Sequence, residues 1–192
     1  MLTQTGILAL KTDRSKDHNI HFSQEIRALC NIDVMRCIQC QGCTSVCPFS
    51  ESMDLPPNKI MRMIQYNLRD QVLSSSSIWL CVGCHTCSNQ CPQAIDIVTI
   101  MDTLRSIAID EQRPVPEPLI LAFHRSVMHS IEGHGRTHKL EIMLRYKSKT
   151  GKWFEDMNLG LKMLSKRKLD LAPSTVSNSK EIKEIFSRTW EL

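Results

Sequence analysis

One cysteine pattern occurs twice in this chain. It reads Cys37-x2-Cys40-x2-Cys43-x3-Cys47-Pro48 and then Cys81-x2-Cys84-x2-Cys87-x3-Cys91-Pro92. Runs of this spacing bind [4Fe–4S] clusters, and in two-cluster proteins the fourth cysteine of each run ligates the other cluster. The pattern therefore assigns Cys37, Cys40, Cys43 and Cys91 to one cubane, and Cys81, Cys84, Cys87 and Cys47 to a second. Such cross-ligation fastens the two runs together and keeps two one-electron centres close. That is the requirement for an electron conduit.

The spacing has a physical reason. Three cysteines two residues apart wrap a loop around one cluster, with backbone N–H groups free to face the sulfurs. The fourth, one residue further on, points away, and the proline after it restricts the backbone. Gly42 and Gly83 sit inside the loops, where a residue without Cβ permits a tight turn or a close approach. Zinc sites use pairs of cysteines and leave the third and fourth of each run unexplained. Disulfides require an oxidising compartment.

Charge removes one functional class. The formal net charge is +4, but eight thiolates and two oxidised cluster cores of about +4 together would bring the loaded chain near zero. The basic balance is thus no argument for nucleic-acid binding. No segment has the length of a membrane span or the pattern of a secretory signal, so the expectation is a cytoplasmic chain, held at any membrane only through partners. Aromatic residues make up 5% while methionine numbers 10, which suggests that many apolar contacts are made around the clusters or with a partner.

Residues 1–22 read as a tail with a short apolar stretch, Ile7–Leu10, able to pair as a strand. Ser23 is placed to cap a helix over Gln24–Asn31. Pro56-Pro57 opens a helix whose apolar positions, Ile60, Ile64, Leu68 and Val72, continue to Ser74. Ile78-Trp79-Leu80 leads into the second run. A further helix spans Asp96–Glu111. The fold class expected is mainly α: an α-helical ferredoxin domain over 23–112 with two cluster loops, each followed by a helix. Prolines 114, 116 and 118 form a stiff linker. Helices are expected over Leu119–Ile131, His138–Tyr146, Phe154–Leu164 and Lys180–Glu191, with a break at Gly133-x-Gly135 and a polar connector at Lys147–Gly151. This helical extension, 113–192, has little apolar content and is expected to wrap the ferredoxin core or clasp a neighbouring subunit.

Other chemistry-bearing residues take plainer readings. Cys30, the ninth cysteine, reads as a small buried residue. His85, inside the second loop, could donate to a cluster sulfur and tune its potential. His124, His129, His134 and His138 lack companion ligands at metal spacing and read as solvated or interface residues. Trp79 and Trp153 are candidate interface anchors, with packing over the cluster the simpler account of Trp79. Lys166-Arg167-Lys168 reads as a solvated basic face. Gly133-His134-Gly135-Arg136 follows no strand and lacks a third glycine, so it is no dinucleotide loop. No nucleophile, base and orienter stand together.

Several stretches resemble the C-type iron–sulfur subunit of heterodisulfide reductase over about residues 20–170. They are Phe22-Ser23-x-x-Ile26-x-x-Leu29-Cys30, Cys37-Ile38-Gln39-Cys40-Gln41-Gly42-Cys43 and Ile78-Trp79-Leu80-Cys81-x-Gly83-Cys84-x-Thr86-Cys87. Gly133-His134-Gly135-Arg136 followed by Met143-Leu144-Arg145-Tyr146-Lys147 narrows the match. The cysteine frame alone is shared with iron–sulfur subunits of succinate dehydrogenase, glycolate oxidase and glycerol-3-phosphate dehydrogenase. The resemblance implies a non-catalytic, α-helical ferredoxin with two cubanes. It would pass electrons between a flavin-bearing A-type subunit and a catalytic B-type subunit. Related modules in sulfur-oxidising and aromatic acyl-CoA reductase complexes keep the relay and change the chemistry at its end.

Overall fold

The computed structural model describes residues 21–151, 162–163, 165–166, 175–176 and 178–189. The expected strand at Ile7–Leu10, Trp153 and most of the expected helix Phe154–Leu164 lie outside the described residues. Among those described the fold is helical, with no strand. The chain divides into two compact units, 1–117 and 118–192.

The first unit begins with α1 (Phe22–Cys30). Its N-cap is His21, not Ser23: the ring Nδ1 accepts from the Ser23 backbone N–H, and Ser23 itself is buried inside the helix. A 3₁₀ turn (Val34–Arg36) then leads into the first cysteine loop, which holds the short helix α2 (Gly42–Ser45). The expected single helix after Pro56-Pro57 is two: α3 (Pro57–Gln65) and α4 (Arg69–Leu73). Asn67 breaks it with φ 61°, a left-handed conformation that asparagine tolerates better than most residues. Its side chain accepts the Phe22 N–H at 2.7 Å. That contact ties the break to α1, at a donor that α1 cannot satisfy itself.

Ile78-Trp79-Leu80 forms most of α5 (Ser77–Leu80), and the second loop holds α6 (Thr86–Gln90). The longest helix of the unit, α7 (Ile97–Asp110), lies where its periodicity predicts, and Asp96, expected as its first residue, is its N-cap. Its buried positions Ile97, Ile100, Met101, Leu104, Ile107 and Ala108 recur at helical spacing. Helices α1, α4, α5 and α6 all pack against α7. The core so formed includes Phe22, Ile26, Ile60, Ile64, Leu73 and Ile78, each without exposed surface. Fully burying one such side chain stabilises by about 1.5–3 kcal/mol. The loops are thereby mounted on a rigid helical frame.

The second unit contains α8 (Pro118–His134), α9 (Lys139–Thr150) and α10 (Ser179–Thr189). Both α9 and α10 pack on α8. Gly133 does not interrupt α8; Gly135 ends it with φ +74°. A Cβ at Gly135 would stand 2.7 Å from Ile182 Cδ1 and 2.8 Å from Val176 Cγ2, so this glycine is where α10 and its lead-in close on α8. The segment expected as a polar connector is the last turn of α9, and Gly151 caps it.

Candidate metal centre

The two cysteine runs adopt one backbone path twice. Cys37 ends the 3₁₀ turn at φ −67°, ψ 116°, and Cys81 ends α5 at φ −66°, ψ 117°. Two residues later, Gln39 and Gly83 both have positive φ, 58° and 67°. Two residues later again, Gln41 (φ 64°) and His85 (φ 58°) are left-handed N-caps of α2 and α6. Left-handed residues alternating with ordinary ones turn successive N–H groups to one side, making a concave anion-binding nest. Holding non-glycine residues this way costs about 1–2 kcal/mol each, so the path is retained for what it binds. Gly83 meets the conformational demand expected of it. Gly42 is helical, and a Cβ there would lie 3.7 Å from Cys40 Sγ, an ordinary contact.

Each run's short helix buries its third cysteine, Cys43 and Cys87. One residue on, a hydroxyl pins the helix that follows each loop. Thr44 Oγ1 donates to Asn58 Oδ1 at 2.7 Å and accepts the Asn58 N–H at 3.1 Å. Ser88 Oγ donates to Asp96 Oδ1 at 2.8 Å and accepts the Ile97 N–H at 3.1 Å. The two short helices α2 and α6 also pack together, so the loops face one another across the unit.

Two cavities result, of about 370 and 390 Å³ counting the solvent in their mouths. The first is lined by Cys37, Cys40, Cys43 and Cys91, with Asn58 and Met61 of α3 behind them. The second is lined by Cys47, Cys81, Cys84 and Cys87, with Val98 and Met101 of α7. Each cavity therefore takes three cysteines from one run and the fourth from the other. Among the described residues, no three His, Cys, Asp or Glu side chains gather as they would around a single ion. The cysteines stand around a space instead.

The donor set suits an iron–sulfur cubane: soft sulfur ligands, four to a cavity, with no charged side chain in the remaining wall. Burial pushes the Cys43 thiol up to about 11, the neighbouring Cys37 and Cys87 add to the rise, and Thr44 opposes it. Burial likewise raises Cys81 and Cys87. Cys84 is lowered, through hydrogen bonds from the Thr86 hydroxyl and backbone N–H. Polar hydrogens already reach two sulfurs: Gln39 Nε2 donates to Cys37 Sγ at 3.3 Å, and Thr86 Oγ1 to Cys84 Sγ at 3.5 Å. Sequence reasoning passed over both. The sign was a polar residue two positions after a loop cysteine.

Residues 36–96 match the family described as "4Fe-4S dicluster domain". The chain is similar to the C-type iron–sulfur subunit of the CoB–CoM heterodisulfide reductase of Methanopyrus kandleri, 32% identical over 103 residues, covering 50% of this chain and 54% of that protein. It is also similar to the C-type subunit of the ferredoxin:CoB–CoM heterodisulfide reductase of Methanosarcina acetivorans, 39% identical over 88 residues, covering 46% of this chain and 35% of that protein. A third relative is the C-type subunit of the H₂:CoB–CoM heterodisulfide, ferredoxin reductase of Methanothermobacter marburgensis, 30% identical over 87 residues, covering 45% and 47%. The chain spans about half the length of these relatives or less. The match of 36–96 to a dicluster domain and the likeness to iron–sulfur subunits support an iron–sulfur, electron-transfer role with [4Fe–4S] cofactors.

The other singled-out residues fall elsewhere. His85 lines neither cavity; its Nδ1 lies 3.8 Å from Asp96 Oδ1, and it acts as the left-handed cap of α6. Trp79 is buried and lines neither cavity, so it is neither an exposed anchor nor a lid on the second one. Cys30 is half-buried and its Sγ donates to the Ile26 carbonyl at 3.1 Å. In the second unit His134 Nε2 lies 3.0 Å from Glu141 Oε2, His129 Nδ1 lies 3.4 Å from Glu132 Oε2, and His138 caps α9. No helix among the described residues is long and apolar enough to cross a membrane.

Proposed function

We propose that this chain is a non-catalytic electron-transfer subunit holding two [4Fe–4S] clusters. Cys37, Cys40, Cys43 and Cys91 would hold one, and Cys81, Cys84, Cys87 and Cys47 the other. The observation that carries the reading is the pair of cavities, each walled by four cysteines drawn from both runs. Each cluster supplies one-electron redox chemistry when bound. The chain's own part is to fix the geometry. The nests aim N–H groups inward, Gln39 and Thr86 donate to sulfur, and apolar side chains of α3 and α7 limit water. Such outer contacts set reduction potential.

The domain that does this is 23–112, and 113–192 serves a partner. The complex is of heterodisulfide-reductase type, with electrons passing between a flavin-bearing A-type subunit and a catalytic B-type subunit in the cytoplasm. The names of the relatives support this assignment. The test is anaerobic purification of the native complex, with its subunits identified by mass spectrometry and iron and sulfide counted. The expected result is A- and B-type partners and about eight irons for each copy of this chain. A flavin dehydrogenase or acyl-CoA reductase as partner keeps the relay and overturns the assigned complex. Zinc in place of iron overturns both.

A further inference from the structure

The two cavities are built alike and differ in the charges on the segments that flank them. Each opens beside an apolar side chain at the same repeat position: Ile38 after Cys37 and Val82 after Cys81, 61% and 62% exposed. Each lines its own cavity. Cys40 and Cys84 are exposed at the same openings. An apolar group held out beside a redox site, with a second one at the equivalent place, marks surface that another molecule covers.

Charge separates the mouths. The first is built from the loop and from α3. Residues 34–50 carry Arg36 and no acid, and residues 57–66 carry Lys59 and Arg62 and no acid. Gln65 Nε2 donates to the carbonyls of Val34 and Cys37, at 3.1 and 3.0 Å, holding the end of α3 against the start of the loop. Arg62 lies on that same end of α3. Its guanidinium lies 5.4 Å over the exposed Tyr66 ring and bonds the neutral Gln65. Asp33, the nearest acid before the loop, is matched by Arg27 at 3.3 Å. Asp96, behind the cavity, is engaged by Ser88 and Thr99. Beside the lining residues of the second cavity the sequence places two acids, Glu51 two residues before Met53 and Asp102 next to Met101, and Arg105 bonds Asp102 at 2.6 Å.

We infer that the first mouth, centred on the exposed Ile38 with Arg36, Lys59 and Arg62 on the segments that build it, docks an acidic, apolar-centred face of a redox partner protein. The inference rests on the two-cluster reading above. Complementary charge steers such encounters and fixes which mouth a partner finds.

The test uses the full chain with clusters reconstituted anaerobically. The probe donor is a small acidic [4Fe–4S] ferredoxin, reduced with dithionite and freed of excess reductant. Stopped-flow absorbance gives the second-order rate at low and at high salt. R36E/R62E is expected to slow transfer roughly tenfold at low salt and to flatten the salt dependence, with iron content and visible spectrum unchanged. E51K/D102K, at the other mouth, is not expected to slow it. If the reversal variant fails to load clusters, R36Q/R62Q takes its place, with a loss of about threefold expected. Wild type that cannot be loaded beyond one cluster overturns the two-cluster reading and this inference with it. Loaded R36E/R62E that accepts electrons at the wild-type rate overturns the docking face alone. So does equal slowing by E51K/D102K, or a dimer of this chain that R36E/R62E abolishes.

Discussion

At the scale of single residues, the cysteine frame was legible because its chemistry is periodic and local. Eight thiols at fixed offsets name a cofactor, and the offset of the fourth names the exchange between runs. The residues that tune the site were not legible. Gln39 and Thr86 reach sulfur in loops that turn left-handed, at Gln39 in the first and at His85 in the second, and a polar residue two positions after a cysteine does not by itself announce such a path. The exchange has a direct test. Cys91→Ser should remove the same cluster as Cys37→Ser, and Cys47→Ser the same cluster as Cys81→Ser. Paramagnetic resonance of the reduced protein should show the lost signal following the cavity rather than the run, with iron falling from about eight to about four. If Cys91→Ser instead removed the signal lost in Cys81→Ser, the assignment of ligands would be wrong. The same scale holds a smaller prediction. Gln39→Leu keeps the volume, removes one donor to Cys37 and should lower the potential of the first cluster while leaving the second unchanged, as a redox titration with resolved spectra would show.

At the scale of elements, most helices were visible in their spacing, and their ends were not. The long α7 follows from six apolar positions, while Asp96, read as its first residue, is its cap. The run from Pro57 to Ser74 carries one continuous helical period, yet the chain breaks it at Asn67, because the Asn67 side chain satisfies the α1 N-terminus. Periodicity registers an apolar face and is silent about a hydrogen bond from forty-odd residues away. Asp54 is the same kind of case. It sits in a loop, but its carboxylate accepts from the Ser75 and Ser77 hydroxyls and from the N–H groups of Ser76 and Ser77, capping α5 from outside. Burial alone would raise this carboxyl; the Ser77 and Ser75 bonds outweigh it and hold it well below the usual carboxylate range. Asp54→Ala should cost about 1 kcal/mol, the usual loss for a helix cap. Because the folded carboxyl titrates below the unfolded one, its stabilising effect is complete above the unfolded value and is lost only as pH falls further. The gap in urea midpoint between wild type and Asp54→Ala should therefore be the same at pH 8 and at pH 5.5. A gap that narrowed over that interval would show that the carboxylate is not held as described. Gly135 belongs here too. Read as a breaker, it is also a contact, and Gly135→Ala should loosen α10 from α8, seen as faster amide exchange across Ser179–Thr189.

At the scale of the whole molecule, the sequence indicated a helical domain around two loops but not what closes it. The closure of the first unit is a clasp of charges among distant residues. Arg69, at the start of α4, donates to Glu25 of α1 at 3.0 and 2.9 Å and to Glu111, just past α7, at 2.9 and 2.5 Å. Arg113 adds bonds to Glu111 and to Asp70, both at 2.7 Å. The Arg69 guanidinium also lies 5.5 Å from the centre of the buried Phe22 ring. Arginine and glutamate are common and carry no period, so this network could not be read from spacing. Its members are mostly shielded, with 18–25% of the Arg69, Glu25 and Glu111 side chains exposed. The pairs therefore count for more than surface ion pairs do, and removing the shared partner leaves the shielded Glu25 without its guanidinium and Glu111 with Arg113 alone. Arg69→Ala is thus expected to destabilise the cluster-loaded chain by roughly 2–3 kcal/mol in urea unfolding. An exposed cation such as Lys139 should cost less than about 0.5 kcal/mol when replaced by alanine. If the loss comes from stranded charge rather than from missing packing, adding Glu25→Gln and Glu111→Gln to Arg69→Met should recover part of it. A triple variant no more stable than Arg69→Met alone would place the loss in the packing of the arginine stem over Phe22 instead.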